Sequence, residues 1–232
     1  FPFGAVPAVL PTVLVFLVTL FLLTRRIGRL VEAEMEGVVP LLQARRIPEA
    51  LSLLRSVKKR YARWQFFLGG QMDAQAGMID YLQLNWDAAL PKLQRGTFRN
   101  WPAKVCIGAI QYRKGDREGA FKTLSSAVGS AKKEPMAYMV WAVLLVRAGQ
   151  REEALEVMAK AMKAMPDNAM LKNLQRTIAN KRKIDAKKFP ETWYRFFPEE
   201  LRAQHALRGR KGGPIGPQVP QPKLGAKQLR RR

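Results

Sequence analysis

One cysteine and one histidine are all that 232 residues contain of the two side chains most used for metal binding and nucleophilic chemistry. Cys106 alone can close no internal disulfide, which suits a reducing compartment, and it reads most simply as a small core residue. His205 has no second His or Cys nearby with which to build a metal site or a triad. The phosphate loop G-x-x-x-x-G-K-[ST], the dinucleotide fingerprint G-x-G-x-x-G and the metalloprotease helix H-E-x-x-H are all absent. "LGGQ" at 68–71 reads as a linker between helices. Acidic pairs such as Glu152 and Glu153 fall where helices open, where they suit the positive end of the helix dipole. No catalytic residue, cofactor or metal is expected, and the chain reads as non-enzymatic.

Acid is the other scarcity. Eighteen Asp and Glu face 41 Lys and Arg, a net charge of +23. Such a balance points to anionic partners: acidic lipid, nucleic acid or acidic protein faces. Residues 168–232 hold 17 basic and 4 acidic side chains, so this last stretch carries +13 of the excess. With 47% hydrophobic residues the chain can still bury a real core.

Residues 1–24, "FPFGAVPAVLPTVLVFLVTLFLLT", contain no charge at all, and "RRIGR" follows at once. At about 1.5 Å per residue such a helix reaches across a hydrocarbon layer of about 30 Å. Pro7 and Pro11 stand near its outer end, where a helix starts or kinks without losing its central hydrogen bonds. A cleaved signal peptide would end on small residues rather than arginines. Residues 1–27 are therefore expected to form a single transmembrane anchor. Arg25, Arg26 and Arg29 place the bulk of the chain on the cytoplasmic side. The chain opens on Phe1 rather than on a methionine, and basic residues upstream of it would weaken this orientation.

A phrase then recurs. "GDREGAFKTL" begins at 115 and "GQREEALEVM" at 149. Alignment on the Ala that follows each polar turn gives Ala50, Ala89, Ala120 and Ala154, with flanks "RRIPEALSLL", "LNWDAALPKL", "KGDREGAFKTL" and "AGQREEALEVM". Each flank is a short turn opening an amphipathic helix, and each is preceded by another helical stretch. Four helix–turn–helix units follow from this spacing.

In these residues the chain resembles the tetratricopeptide repeat (TPR) family, whose unit has 34 residues with small side chains at positions 8, 20 and 27. Counted from Pro135, the unit 135–168 reads Tyr138, Trp141, Ala142, Leu145, Ala154, Met158, Ala161 and Pro166 at the family's marked positions. The unit 101–134 keeps Ile107, Gly108, Ala120, Leu124 and Ala127 but has Lys104 and Gln111 where bulky apolar residues are usual. The second unit keeps Gly77 and Ala89, and the first keeps Ala50 and Leu54. The resemblance implies an all-α fold: a solenoid of about four units over residues 28–188, in which each unit buries its apolar face only by stacking on the next. "NAMLKNLQRTIANKRKI" (168–184) reads as the capping helix, with Met170, Leu171, Leu174 and Ile178 in one stripe.

The resemblance also implies a concave groove lined by the first helix of each unit. The matching positions are Met78 and Tyr81; Val105, Ala109, Tyr112 and Arg113; and Met136, Met139, Val143, Val146 and Arg147. Apolar with a basic edge, this lining suits a helix or extended segment of a protein partner. Residues 189–232 form the aromatic segment and a Gly/Pro-rich basic tail. Trp193, Tyr194, Phe196 and Phe197, bracketed by Pro190 and Pro198, are too apolar to stay in water. They are expected to fold back on the solenoid, to anchor a partner, or to sit at a membrane interface. The tail, with Arg208, Arg210, Lys211, Arg230, Arg231 and Arg232, cannot order itself alone and is expected on an acidic partner groove or anionic lipid.

These expectations converge on a membrane-anchored scaffold or accessory subunit that helps assemble or stabilise a membrane protein complex. A bacterial inner membrane is the first setting and an organelle membrane the alternative. A nucleic-acid- or ribosome-associated protein acting through the basic C-terminal region is the second functional reading.

Overall fold

A computed structural model describes residues 6–62, 68–97 and 99–209, and for residues 6–10, 12 and 207–209 it describes the backbone only. Among the described residues the regular structure is entirely helical. The chain divides into two compact units, residues 1–73 and 74–232.

The first unit begins with α1 (Val6–Glu36), a 31-residue helix with Pro11 inside its N-terminal part. Two features distinguish its halves. From Val13 to Thr24 every described side chain is exposed, whereas Ile27 and Val31 are buried. The buried half packs with α2 (Val38–Gln43) and α3 (Ile47–Tyr61), whose Ala50, Leu54 and Val57 complete a small core. Glu34 fastens α1 to α3, accepting from Arg60 Nη1 at 2.6 Å and Tyr61 Oη at 2.8 Å. Among the described residues no helix is long and apolar enough to cross a membrane. The expected anchor extends over residues 1–5, which lie outside the described residues.

The second unit is a TPR-like stack of helical hairpins. The pairs are α4 (Leu68–Leu82) with α5 (Trp86–Arg95), α6 (Trp101–Arg113) with α7 (Arg117–Ser130), and α8 (Pro135–Arg147) with α9 (Arg151–Ala164). This unit starts at Ala74, inside α4. Helix starts follow local chemistry. Asn100 and Asp116 each accept from the backbone N–H three residues on, and Asn168 does the same for α10 (Ala169–Ala179). α10 closes the stack on Leu171, Leu174 and Ile178 and ends at Ala179, short of the expected 184. "LGGQ", expected as a linker, is the first turn of α4. Glycine is a poor helix former by only about 1 kcal/mol, which tertiary packing overrides.

Close approach governs each hairpin. A Cβ on Gly108 would lie 2.7 Å from Leu124 Cγ, and one on Gly77 would lie 2.9 Å from both Leu93 Cγ and the Leu93 backbone N. Neither helix pair can close around a larger residue. The two polar departures from the repeat are also matched across a hairpin. Lys104 Nζ donates to Ser126 Oγ (3.0 Å) and Ser130 Oγ (2.6 Å), and Thr123 Oγ1 donates to Gln111 Oε1 (2.8 Å). What reads as a defect in the pattern is an α6–α7 polar seam.

The recurring phrase has a backbone cause. Gly115 (φ +88°) and Gly149 (φ +87°) turn the chain into the second helix of their hairpins, five residues before Ala120 and Ala154. Leu84 (φ +71°) and Arg45 (φ +59°) hold the same left-handed conformation five residues before Ala89 and Ala50. One turn geometry serves four hairpins, with glycine in only two.

Two glycine substitutions separate packing from backbone strain. Gly108→Ala should cost about 1–3 kcal/mol through overpacking against Leu124. Gly115→Ala, whose Cβ meets nothing within 4 Å, should cost about 1–2 kcal/mol through φ alone. Asn, which tolerates the left-handed region, should recover much of the loss at 115 and none at 108. Urea unfolding followed by circular dichroism reads both. Equal recovery by Asn at the two positions would show that one mechanism covers both.

Candidate functional site: a groove filled by the chain's own C-terminal segment

After α10 the chain returns across the stack in two short 3-10 turns, Ala186–Lys188 and Glu191–Arg195, and then enters α11 (Pro198–Gly209). Local chemistry sets this path. The Asp185 carboxylate accepts from Lys187 N at 3.1 Å and starts the first turn. Pro190 precedes the second turn, and Pro198 opens α11 with Glu199 and Glu200 in its first turn, where the dipole favours them. The prolines narrow the unfolded ensemble of this segment and so lessen the entropy lost on docking.

The segment's aromatic side chains are core. Trp193 is fully buried, and Tyr194, Phe196 and Phe197 are buried with it in one cluster that also contains Tyr81, Val105, Ala109, Met136, Met139 and Val143. Trp193 stacks on Phe197 with centroids 4.4 Å apart and meets Phe189 at 4.6 Å, while Phe196 meets Trp101 at 5.9 Å. Met78 and Tyr112 pack partly buried against the same cluster. The groove expected for a partner is thus covered by residues 189–200 of the same chain.

Polar contacts fix the register. Arg113 donates through Nη1 to Tyr81 Oη (3.0 Å), through Nη2 to the Phe196 carbonyl (3.1 Å) and through Nε to Glu199 Oε1 (2.9 Å). Tyr81 Oη donates to the same Phe196 carbonyl at 2.6 Å. The guanidinium also lies over Trp86 (4.7 Å to the centroid) and Phe197 (5.3 Å), so its planar faces are covered by rings. Arg147 repeats the scheme one unit later, donating to Glu200 at 2.5 Å and lying 4.9 Å from the Phe197 centroid. Trp193 Nε1 donates to the other Glu200 oxygen at 2.8 Å. Glu199 Oε2 is buried without a partner among the described residues, so the Arg113–Glu199 pair is made through one oxygen.

Burial shapes the titration of this site. Desolvation pushes the Tyr81 hydroxyl well above its ordinary range, with the Arg113 charge pulling the other way. Desolvation alone would lower the Arg113 pKa, but Tyr81 and Glu199 outweigh it and hold the guanidinium charged. Cys106, fully buried with Sγ 3.4 Å from Met78 Sδ, has its thiol pushed far up by desolvation. No group of three or more His, Cys, Asp or Glu among the described residues is placed to hold a metal ion.

Magnitudes decide between a removable occupant and a built-in one. Burying one large apolar side chain is worth about 1.5–3 kcal/mol. Four aromatics therefore represent on the order of 6–12 kcal/mol, as much as a complex with a Kd between tens of micromolar and about a nanomolar gains in total. A competing ligand would spend its affinity on displacement. Residues 189–200 are part of the core.

Sequence reasoning placed the aromatic cluster and the groove separately and left three destinations for the cluster. It missed Glu199 and Glu200 as the partners of Arg113 and Arg147. Their signal was the adjacent acids Glu199 and Glu200 directly after the aromatics, set against two groove arginines, Arg113 and Arg147, spaced one repeat apart. Of the C-terminal positions singled out, Arg208 lies on α11. Arg210, Lys211, Arg230, Arg231 and Arg232 lie outside the described residues.

The fold of the second unit and its repeat define a TPR-like α-solenoid. Among solved structures, the chain is similar to "Crystal structure of MamA protein", with TM-score 0.51 and 13% identity over 83% of this chain and 100% of that one. It is similar also to "MamA RS-1 ArsTM double mutant", with TM-score 0.50 and 16% identity over 76% and 96%. A third structure, YrrB, described as a TPR protein with an unusual peptide-binding site, aligns at TM-score 0.47 and 14% identity over 78% and 97%. At these identities the likeness is one of fold. No protein-family model and no curated protein matches the chain.

Cys106, buried against Met78 in the same cluster as Trp193, probes the integrity of that cluster. It should resist alkylation by a maleimide in the folded chain, since both access and thiolate are denied. Trp193→Ala should cost about 3–5 kcal/mol and make Cys106 labelling much faster. Labelling of wild type at the rate of a free thiol would contradict the buried groove.

Proposed function

We propose that the protein is a non-enzymatic interaction scaffold attached to a membrane through α1, its groove occupied internally and its basic C-terminal end presented to an anionic partner. One observation carries this reading. Every exposed large hydrophobic side chain among the described residues stands on α1, from Val13 to Leu23 and at Leu30. Consecutive residues 13–18 are 47–65% exposed, so this part of the helix is apolar on all its faces. A helix of that kind belongs in lipid or inside a helical bundle. Thr19 and Thr24 behave accordingly: Thr19 Oγ1 donates to Val15 O (2.8 Å) and Thr24 Oγ1 to Leu20 O (2.7 Å), satisfied within the helix. The uncharged run through residue 24 and the arginines after it support a membrane-facing N-terminus with the stack on the cytoplasmic side. A bacterial inner membrane is the setting we favour, with the protein serving a membrane complex. Repeat folds of this type present surfaces rather than reacting groups, which supports a binding role.

The plugged groove moves the partner surface elsewhere. Residues 189–200 hold α11 in place, and the basic residues of 208–232 follow directly in sequence. A nucleic-acid partner for that region remains the competing reading, favoured by its charge, and it predicts steep salt dependence.

Flotation of the purified full chain with neutral phosphatidylcholine vesicles tests attachment without help from charge. Wild type should float at high salt, and the double variant Leu17→Arg, Phe21→Arg should remain at the bottom with an unchanged helical spectrum. Wild type left at the bottom as a discrete oligomer would instead show α1 covered by copies of itself and would overturn lipid attachment.

A further inference from the structure

Between α10 and the chain from Arg182 to Phe189 lies a pocket of about 440 Å³. That volume lies within the range of small-ligand sites. Its floor is apolar: Leu174, buried in the cap, with Ile184 and Phe189 beside it. Its rim carries four cations, Arg176 from α10 and Arg182, Lys183 and Lys188 from the segment after it, against a single carboxylate, Asp185.

That carboxylate is engaged, since it caps the 3-10 turn through Lys187 N. Neither Glu199 nor Glu200 is available, because they bind Arg113 and Arg147. Two of the four acids in residues 168–232 are thereby committed elsewhere, and none of the four rim cations makes an ion pair among the described residues. Four like charges held around one concavity repel each other, and each is stabilised by an anion that enters. Inorganic phosphate would satisfy the rim and leave the apolar floor wet. An anion that brings its own apolar portion satisfies both.

We propose that this pocket binds the headgroup of an anionic phospholipid, with the phosphate on the four cations and the glycerol and first acyl methylenes over Leu174, Ile184 and Phe189. The choice of lipid over an acidic peptide rests on the membrane attachment proposed above. The pocket itself does not depend on it.

Native mass spectrometry of the full chain released from mixed phosphatidylcholine–phosphatidylglycerol nanodiscs tests this. Wild type should retain one phosphatidylglycerol per chain, at least fivefold in preference to phosphatidylcholine. Arg182→Ala with Lys183→Ala should abolish the preference, and Ile184→Gln, which leaves the charge unchanged, should weaken it. Lys160→Ala with Lys163→Ala, the same loss of charge on exposed positions of α9, should leave it intact. Equal loss in that control pair would show diffuse attraction and overturn the site. Equal retention of the two lipids, or one-to-one retention of an added acidic peptide in place of lipid, would overturn the lipid assignment. If the chain never enters nanodiscs, the attachment reading fails. The pocket is then read from one-to-one retention of soluble short-chain phosphatidylglycerol, and absence of that retention overturns it as well.

Discussion

Arg113 is the side chain on which the closed form of the second unit depends. A mostly buried guanidinium is tolerable only if its donors and its faces are all occupied, because an uncompensated buried charge costs several kcal/mol. Here each requirement draws in a different part of the chain. Tyr81 comes from α4, Trp86 from α5, and the Phe196 carbonyl, Glu199 and the Phe197 ring come from the returning segment. The aromatics supply the driving force, while Arg113 supplies register: a slip of the segment by one residue would leave the guanidinium without its carbonyl acceptor. The apolar cluster and the charge are therefore interdependent. Apolar burial makes the site dry, and only a fully matched charge can remain in a dry site.

The hairpin stack was legible in the sequence where backbone geometry demands a particular residue. Gly115 and Gly149 announce the left-handed turn, and Gly77 and Gly108 announce the close helix approach. The same turn at Leu84 and Arg45 was hidden, because the surrounding packing imposes a conformation that neither residue favours. Such a position costs about 1–2 kcal/mol, which a formed hairpin can bear. Lys104 and Gln111 misled in the opposite direction. Position by position they break the repeat, yet their partners Ser126, Ser130 and Thr123 lie on the paired helix, at a separation no local pattern reveals.

The candidate site was legible in its parts and not in its assembly. The lining from Met78 to Arg147 follows from the repeat, and the aromatic cluster from composition. Their union depends on a backbone carbonyl, which has no sequence signature, and on a path of ten residues from Asn180 to Phe189 that no periodicity describes. The same limit explains the shortened cap. Arg182 and Lys183 continue the polar pattern of α10, but Lys181 turns left-handed at φ +52° and redirects the chain across the helix.

The distribution of charge follows from that assembly. In the helical hairpins acids and bases are matched locally: Arg60 with Glu34, Lys58 with Asp73, Lys92 with Asp80, Lys114 with Asp87. Past the cap there are few acids, and the fold uses Glu199 and Glu200 to close its own groove. Closing the groove therefore draws two of the four acids of residues 168–232 onto arginines of earlier repeats. The same contacts that cover the apolar groove thus commit both carboxylates of the first turn of α11.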